Sequence, residues 1–168
     1  LSRLPKRMLI VGAGVIGVEY ACIFAHLGVS VDVTDRRREL LAFVDREMAA
    51  ALADRVRDQG VRLRMGEDIS AIETPAPALI ATLSGGERLE TDAILYVQGR
   101  VAATAALRLE RAGLAAGKGG QLVVNANYQT AVPDIYAVGD VIGFPSLAST
   151  SMEQGRIAGS HAFGIPVE

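Results

Sequence analysis

A glycine loop between an apolar strand and a helix constrains the fold more than any other feature of the sequence. Residues 7–14, RMLIVGAG, form a short apolar run that ends in glycines, which is typical of a buried parallel strand. Residues 15–28 have helical periodicity and end at a glycine, and the β-branched run 29–35 indicates a second strand. A second helix in 44–60 and a third strand in 61–65 follow. This βαβαβ order with short turns predicts an α/β fold with a Rossmann-like parallel sheet.

Both predicted helices carry an apolar face that would pack on the sheet. Four residues lie near one face of the first helix: Val18, Cys22, Ala25 and Gly28. In the second helix, Met48, Leu52 and Val56 are spaced i, i+4 and i+8, which predicts that they form its buried face.

The pattern changes after residue 65. Short apolar or alternating runs separated by glycine turns predict an antiparallel β insertion that ends in one more apolar strand, with strands in 78–83, 85–92 and 93–99. Residues 101–120 are rich in Ala and Gly and predict a surface connection. Two further strands, in 121–130 and 134–140, and a final helix in 147–163 are predicted for the C-terminal part.

The glycine loop has the spacing GxGxxG. It consists of Gly12, Ala13, Gly14, Val15, Ile16 and Gly17. It follows a strand and opens a helix, and an acid, Asp35, stands 18 residues beyond its last glycine. In that context the three glycines allow a tight turn, a close approach to a pyrophosphate and close helix–strand packing, while the helix N-terminus attracts phosphate. The sequence thus predicts a dinucleotide site, and the alternative is a Rossmann-like fold that binds no nucleotide.

The segment after the second strand mixes the signals for two dinucleotides. Asp35 stands where a carboxylate accepts the ribose hydroxyls of NAD and repels the additional phosphate of NADP. Arg36 and Arg37 follow it, and guanidinium groups can offset that repulsion and bind the phosphate. The alternative is a solvated charge run before a helix. The residues favour NAD, with NADP tolerated.

A second motif lies in the C-terminal part, where Gly139-Asp140 ends a predicted strand and a helix begins several residues later. An acid at a strand end suits a sugar or ribityl hydroxyl, and a helix N-terminus suits a carbonyl or an anion. The alternative is a turn followed by a capped helix.

The segments VGAGVIGVEYA and TAVPDIYAVGD together resemble the FAD- and NAD(P)-dependent pyridine nucleotide-disulfide oxidoreductases. RRRELLAFVDREM and GDVIGFPSLASTSMEQGR are similar, within that family, to its soluble, Si-specific transhydrogenase branch. The resemblance covers nearly the whole chain. It implies a cytoplasmic flavoprotein oxidoreductase that transfers hydride between NADPH and NAD through FAD.

The resemblance also implies roles for individual residues. The loop would bind the NAD(P) pyrophosphate and Asp35 the adenosine ribose, while Glu19 would lie beside the nicotinamide and the flavin. On position alone, a first-turn acid favoured by the helix dipole is the slightly better interpretation of Glu19. Gly99 would make a backbone contact near the nicotinamide. Four residues would belong to the flavin site: Gly139 and Asp140 at the ribityl chain, and Leu147 and Ala148 at the pyrimidine edge of the flavin.

This sequence departs from the family at GRVAATAAL, where a proline or asparagine usually follows, so the contacts of that loop stay open. The chain begins at Leu1, and we expect a piece of a longer parent. Residues 1–113 would be the NAD(P)-binding domain and 114–168 a segment that completes the FAD-binding domain. The implied partners are nicotinamide dinucleotides and the FAD and dimerisation domains of the parent, a homo-oligomer. The piece alone would be inactive.

Composition excludes several other classes. A formal net charge of −2 offers no basic surface for nucleic acid, and a single cysteine, Cys22, with two distant histidines predicts no metal site. No apolar run reaches the roughly 18 residues of a membrane span. Two alternatives stay open: a disulfide reductase of the dihydrolipoamide dehydrogenase type, whose cysteine pair would lie upstream, and a non-catalytic module that senses NAD(H).

Overall fold

The computed structural model describes residues 3–166. The chain divides into two compact units after Gly99. The first unit contains strands β1 (Arg7–Val11), β2 (Ser30–Asp35), β3 (Arg62–Met65), β4 (Ile69–Glu73), β5 (Leu79–Leu83), β6 (Arg88–Thr91) and β7 (Ala93–Tyr96), and helices α1 (Val15–His26) and α2 (Arg46–Asp58). The second contains helix α3 (Ala148–Ala162) and short 3-10 turns.

A four-stranded parallel sheet forms the centre of the first unit. Its order is β3-β2-β1-β7, and all three neighbouring pairs are parallel. The predicted Rossmann-like fold is confirmed, and the chain reverses its direction of travel across the sheet at β1, since β2 and β3 lie on one side and β7 on the other.

Strand β1 is buried on both faces, which explains why its sequence is a continuous apolar run. Met8 and Ile10 pack in the cluster beneath the helices. Leu9 and Val11 point to the other face and pack against Ala81 of β5. A parallel strand covered on both faces favours a nearly continuous hydrophobic run over an alternating one.

The second helix turns a different face to the sheet than its spacing predicts. Met48 is 67% exposed, whereas Ala49, Ala53 and Val56 are buried. The predicted buried face is therefore wrong at its first residue, because Ala49 is buried in place of Met48. Asp45 begins the helix by accepting hydrogen bonds from the N–H groups of Glu47 and Met48. Small alanines at i and i+4 allow the helix backbone to approach the sheet closely.

A three-stranded antiparallel sheet, in the order β4-β5-β6, forms the predicted insertion. The expected strands in 78–83 and 85–92 are present as β5 and β6, and the third, β7, joins the parallel sheet beside β1. Strand β4 was not predicted. Its residues are mostly exposed, so its sequence lacks the regular alternation that a half-buried strand shows.

The second unit contains the predicted C-terminal helix, α3, but the strands predicted in 121–130 and 134–140 are wrong for the described residues. They are replaced by a loop with an isolated bridge between Gln129 and Tyr136. The carboxamide oxygen of Asn125 accepts hydrogen bonds from the N–H groups of Asn127 and Gln129. This side chain closes a turn within the expected strand, where Asn competes with a backbone ladder.

Residues 101–120 form the irregular connection that their composition predicts, with short 3-10 turns. Among the described residues, no helix combines the length and the apolar character that crossing a bilayer requires.

Candidate functional site

The glycine loop lies at the carboxyl end of β1, where the sheet order changes direction. The N–H of Gly12 donates to the Thr34 carbonyl of β2 at 2.8 Å, and the N–H of Val97 donates to the Val11 carbonyl at 2.9 Å. The first bond joins the loop to β2, and the second joins the end of β1 to the residue that follows β7. Open α/β sheets bind ligands in the crevice at such a switch point.

Two of the loop glycines are required by the protein itself. Gly12 has φ +119°, and a Cβ there would lie 2.7 Å from the Val97 carbonyl oxygen. A Cβ at Gly17 would lie 1.8 Å from the carbonyl oxygen of Gly12. These two positions allow the tight turn and the close packing of α1 on β1.

The middle glycine is not explained by the fold. Gly14 has φ −80° and ψ −176°, an extended conformation open to any residue. A Cβ at this position would meet no heavy atom of the described residues within 4 Å. Because neither backbone strain nor packing requires glycine here, the absence of a side chain fits a ligand that approaches the backbone closely. This is the property that pyrophosphate binding needs.

Helix α1 presents its N-terminus at the same point. The N–H of Val18 is the first to bond within the helix, to the Gly14 carbonyl at 3.0 Å. The N–H groups of Val15, Ile16 and Gly17 therefore have no intrahelical acceptor. Among the described residues, no side chain caps the helix and its first turn contains no acid, so its partial positive charge is available to an anion.

Asp35 is the last residue of β2, and its side chain is only 7% exposed. Its Oδ2 accepts hydrogen bonds from the N–H of Ala13, at 2.8 Å, and from Nη2 of Arg37, at 2.6 Å. Its Oδ1 accepts from the N–H of Arg37, at 2.9 Å, and from Nε of Arg37, at 3.0 Å. The acid therefore holds the glycine loop at Ala13 and has two donors on each oxygen.

These contacts decide the ionisation of Asp35. Burial by itself would raise the pKa, but the side-chain hydrogen bonds from Arg37 and the two backbone N–H groups outweigh it. The pKa of Asp35 falls from its ordinary 3.8 to about 2, so the group is a carboxylate at neutral pH. The same pairing raises the pKa of Arg37.

The neighbouring arginines differ in their contacts. Arg37 forms a two-point contact with Asp35, whereas the side chain of Arg36 is 72% exposed and pairs with Asp68 at 3.4 Å. The sequence treated Arg36 and Arg37 alike, as a pair of phosphate ligands. The structure distinguishes the two arginines, because Arg37 binds Asp35 whereas Arg36 pairs with Asp68.

Glu19 is exposed and belongs to the second turn of α1, since the helix begins at Val15. The interpretation of Glu19 as a first-turn acid is therefore wrong. Its side chain borders an apolar groove lined by Val15, Val18, Cys22, Ile23, Leu41 and Leu52. Burial raises the pKa of the Cys22 thiol, which favours an unreactive packing role.

Gly99 follows β7 and has φ +113°, a conformation that favours glycine. In the described part of the chain, a Cβ there would meet no heavy atom within 4 Å. Since β7 lies beside β1, Gly99 stands past the same edge of the sheet as the glycine loop. A contact to a nicotinamide at this position stays a prediction.

In the second unit, a buried side chain fixes the Gly139-Asp140 turn. Gly139 has φ +77°, and its N–H donates to Oε1 of Gln154 at 2.7 Å. Gln154 is 5% exposed and belongs to α3. The side chain of Asp140 is 54% exposed and pairs with Nη1 of Arg100.

Helix α3 begins at Ala148, with Leu147 as its N-cap residue, and both residues are exposed. Within residues 3–166, no side chain caps this end of the helix. The described contacts thus place an open helix start and a carboxylate on a fixed turn within one unit. Arg100 and Gln154 were not among the residues predicted from sequence, because neither a composition nor a spacing rule indicates which side chain a turn will contact.

The model of the pyridine nucleotide-disulphide oxidoreductase family matches residues 1–155. The chain belongs to this family. It is 46% identical over 168 residues to the soluble pyridine nucleotide transhydrogenase of Mycobacterium bovis, which covers 100% of this chain and 36% of that protein. The protein of the same name from Chromohalobacter salexigens is 50% identical over 158 residues, covering 94% of this chain and 34% of its own length. The chain therefore spans about a third of these relatives.

Two solved structures have the same fold as this chain. LpdA from Mycobacterium tuberculosis superimposes with a TM-score of 0.89 at 34% identity, over 100% of this chain and 37% of LpdA. The HOCl-induced flavoprotein disulfide reductase RclA from Escherichia coli superimposes with a TM-score of 0.90 at 32% identity, over 100% of this chain and 38% of RclA.

Proposed function

We propose that this chain is the nicotinamide dinucleotide-binding part of a flavoprotein that transfers hydride between NADPH and NAD⁺. The observation that carries the proposal is Gly14, a glycine that neither conformation nor packing requires, at the N-terminus of α1 and beside a buried carboxylate. The pyrophosphate would lie against Gly14 and the first-turn N–H groups. The adenosine ribose would lie at Asp35.

The flavin belongs to the proposal for the longer parent. Bound FAD supplies a group that accepts hydride from one dinucleotide and returns it to another. The chain's own contribution is to bind and orient the nicotinamide dinucleotide at the carboxyl edge of its parallel sheet. We expect the isolated chain to be inactive, because residues 114–168 would provide only part of the flavin site.

The residues of the second unit fit a partial flavin site. Asp140 presents a half-exposed carboxylate on a turn that Gln154 fixes through the N–H of Gly139. Such a group suits the hydroxyls of a ribityl chain, while the uncapped start of α3 at Leu147 and Ala148 suits a polarised carbonyl. Arg100 would have to release Asp140 for that contact.

The relatives named transhydrogenase favour hydride exchange between dinucleotides over disulfide reduction, since they are 46–50% identical to this chain, against 32% for the disulfide reductase RclA. The dimerisation domain, homo-oligomeric state and cytoplasmic location implied by the resemblance belong to the same proposal. The NAD(H)-sensing module is less favoured, because such a module has no use for a second, flavin-type motif.

The test uses the longest natural polypeptide that contains this sequence. We expect it to retain FAD and to reduce the NAD analogue thio-NAD with NADPH as donor. Gly14→Ala should lower dinucleotide affinity by about tenfold, as a Cβ blocks the close approach, whereas Met48→Ala, on an exposed surface, should leave it unchanged. Turnover with dihydrolipoamide but not between dinucleotides would favour the disulfide reductase. Absence of dinucleotide binding would refute the proposal.

A further inference from the structure

Asp35 has no acceptor position left for a ribose in this structure. A carboxylate offers about four lone-pair sites, two on each oxygen. Two of them receive the backbone N–H groups of Ala13 and Arg37, and the other two receive Nε and Nη2 of Arg37. A ligand with two hydroxyls can use the acid only if one pair of donors leaves.

The two pairs of donors differ in mobility. Ala13 is fully buried in the glycine loop, and the backbone of Arg37 is held by the N–H of Gly66, which donates to its carbonyl at 3.0 Å. The Arg37 side chain is 48% exposed and lies on a flexible stem. The guanidinium can therefore leave toward solvent without moving the backbone, and its departure frees one acceptor position on each oxygen.

We propose that Arg37 determines dinucleotide specificity by competing with the ribose diol for the two outer acceptor positions of Asp35. The proposal rests on the dinucleotide site proposed above. NAD(H) binds with Arg37 displaced, because its two vicinal hydroxyls replace the two-point contact of the guanidinium. NADP(H) binds with Arg37 in place, because the guanidinium of Arg37 cancels the negative charge of Asp35, which would otherwise repel a phosphate on the same ribose.

Arg37 therefore opposes binding of NAD(H) and favours binding of NADP(H). An arginine whose only role is to bind the phosphate would not oppose NAD(H). An arginine that only contacts the phosphate of NADP(H) leaves NAD(H) affinity unchanged when it is removed. An arginine that competes with the diol makes NAD(H) bind more tightly when it is removed. The sign of the change in NAD(H) affinity separates the two roles.

The neighbouring arginines provide matched controls. Among the described contacts, Arg36 pairs with Asp68 and not with Asp35. Arg38 is exposed, and no hydrogen bond joins it to Asp35 among the described contacts. Arg38→Met removes the same charge as Arg37→Met and leaves the acid satisfied.

The experiment is calorimetric titration of NADH and of NADPH into the longest natural polypeptide that contains this sequence. Arg37→Met should tighten NADH by about tenfold and weaken NADPH by about tenfold, each the equivalent of about 1.4 kcal/mol. Arg38→Met should not tighten NADH. Arg37→Lys keeps the charge without the two-point contact, so it should tighten NADH less and largely retain NADPH. It also serves as the second variant if Arg37→Met does not fold.

The outcomes separate this inference from the proposed function. If both dinucleotides bind the unaltered protein but neither Arg37 variant tightens NADH, competition at Asp35 is refuted while the dinucleotide site stands. If Arg38→Met tightens NADH as much as Arg37→Met, the effect is one of general charge and the inference also fails. If the unaltered protein binds neither dinucleotide, the proposed function and this inference fail together.

Discussion

Replacing Asp35 by asparagine tests the central contact of the site without any ligand. Asn keeps the shape of the side chain but removes the charge and places an amide NH₂ against two donors. The pKa of Asp35 falls from 3.8 to about 2 on folding, which is worth about 2 kcal/mol at neutral pH. A buried donor left without an acceptor adds about 1–3 kcal/mol. We therefore expect Asp35→Asn to lower the free energy of unfolding at pH 7 by about 3–5 kcal/mol.

The pH dependence of this difference follows from the direction of the pKa shift. Because the folded-state pKa of Asp35 is lower than the unfolded-state value, the unfolded chain binds more protons between about pH 4 and pH 2. The stabilisation from the ionised group is complete above that window and is lost as the pH falls through about 2. About 1 kcal/mol should be lost by pH 3, so the difference between the unaltered protein and Asp35→Asn should narrow by that amount.

The assay is denaturant unfolding at pH 7, 5 and 3, with hydrogen exchange of the β1 amides to report on the first unit separately. Asp54→Asn is the matched control, because Asp54 makes an i,i+3 pair with Arg57 and its side chain is 77% exposed. It should change the free energy of unfolding by no more than about 0.5 kcal/mol. A loss below about 1 kcal/mol for Asp35→Asn, or a difference that does not narrow at pH 3, would refute the reasoning.

Three further predictions concern the scaffold. Gly17→Ala should prevent normal folding of the first unit, since its Cβ would lie 1.8 Å from a carbonyl oxygen. Gly14→Ala should leave the melting temperature unchanged, and thermal melts followed by circular dichroism compare the two variants. Val56→Ala should cost about 2 kcal/mol in denaturant unfolding and Met48→Ala less than about 0.5 kcal/mol, and equal losses would contradict the observed helix face. Asp45→Ala should cost about 1 kcal/mol through loss of the α2 cap, restored in part by Asp45→Ser.

The sequence predicted the parallel sheet and its glycine loop well because their signals are local. A continuous apolar strand, a helix with a terminal glycine and an acid at the end of the next strand each depend on neighbouring residues. The face of α2 was harder to predict, because alanines and a methionine both fit an apolar stripe and only packing decides between them. The strand predicted in 121–130 failed where the Asn125 side chain supplied a local alternative to the ladder.

The hydrogen-bond partners of Asp35 could not be predicted from sequence. The motif placed Asp35 correctly at the end of β2, but a pattern states which residue types are present and not which of them bond to one another. Three arginines follow Asp35, and the backbone geometry of that turn selects Arg37 for the acid. The choice depends on the N–H of Arg37 binding the same carboxylate oxygen as its own Nε, a detail of the turn's conformation that residue spacing does not encode.

The contact between Asp35 and Arg37 also satisfies the hydrogen bonds of the buried acid while no dinucleotide is bound. Without the Arg37 side chain, a buried carboxylate that binds two ribose hydroxyls would lack half of its hydrogen bonds in the ligand-free protein. Such a loss is costly in a nearly dry position. Arg37 fills those positions in the free protein and lowers the pKa of the acid. On the proposed mechanism, the same side chain that stabilises the free site therefore weakens its affinity for NAD(H), so that variants at Arg37 should gain NAD(H) affinity only by losing stability in the first unit.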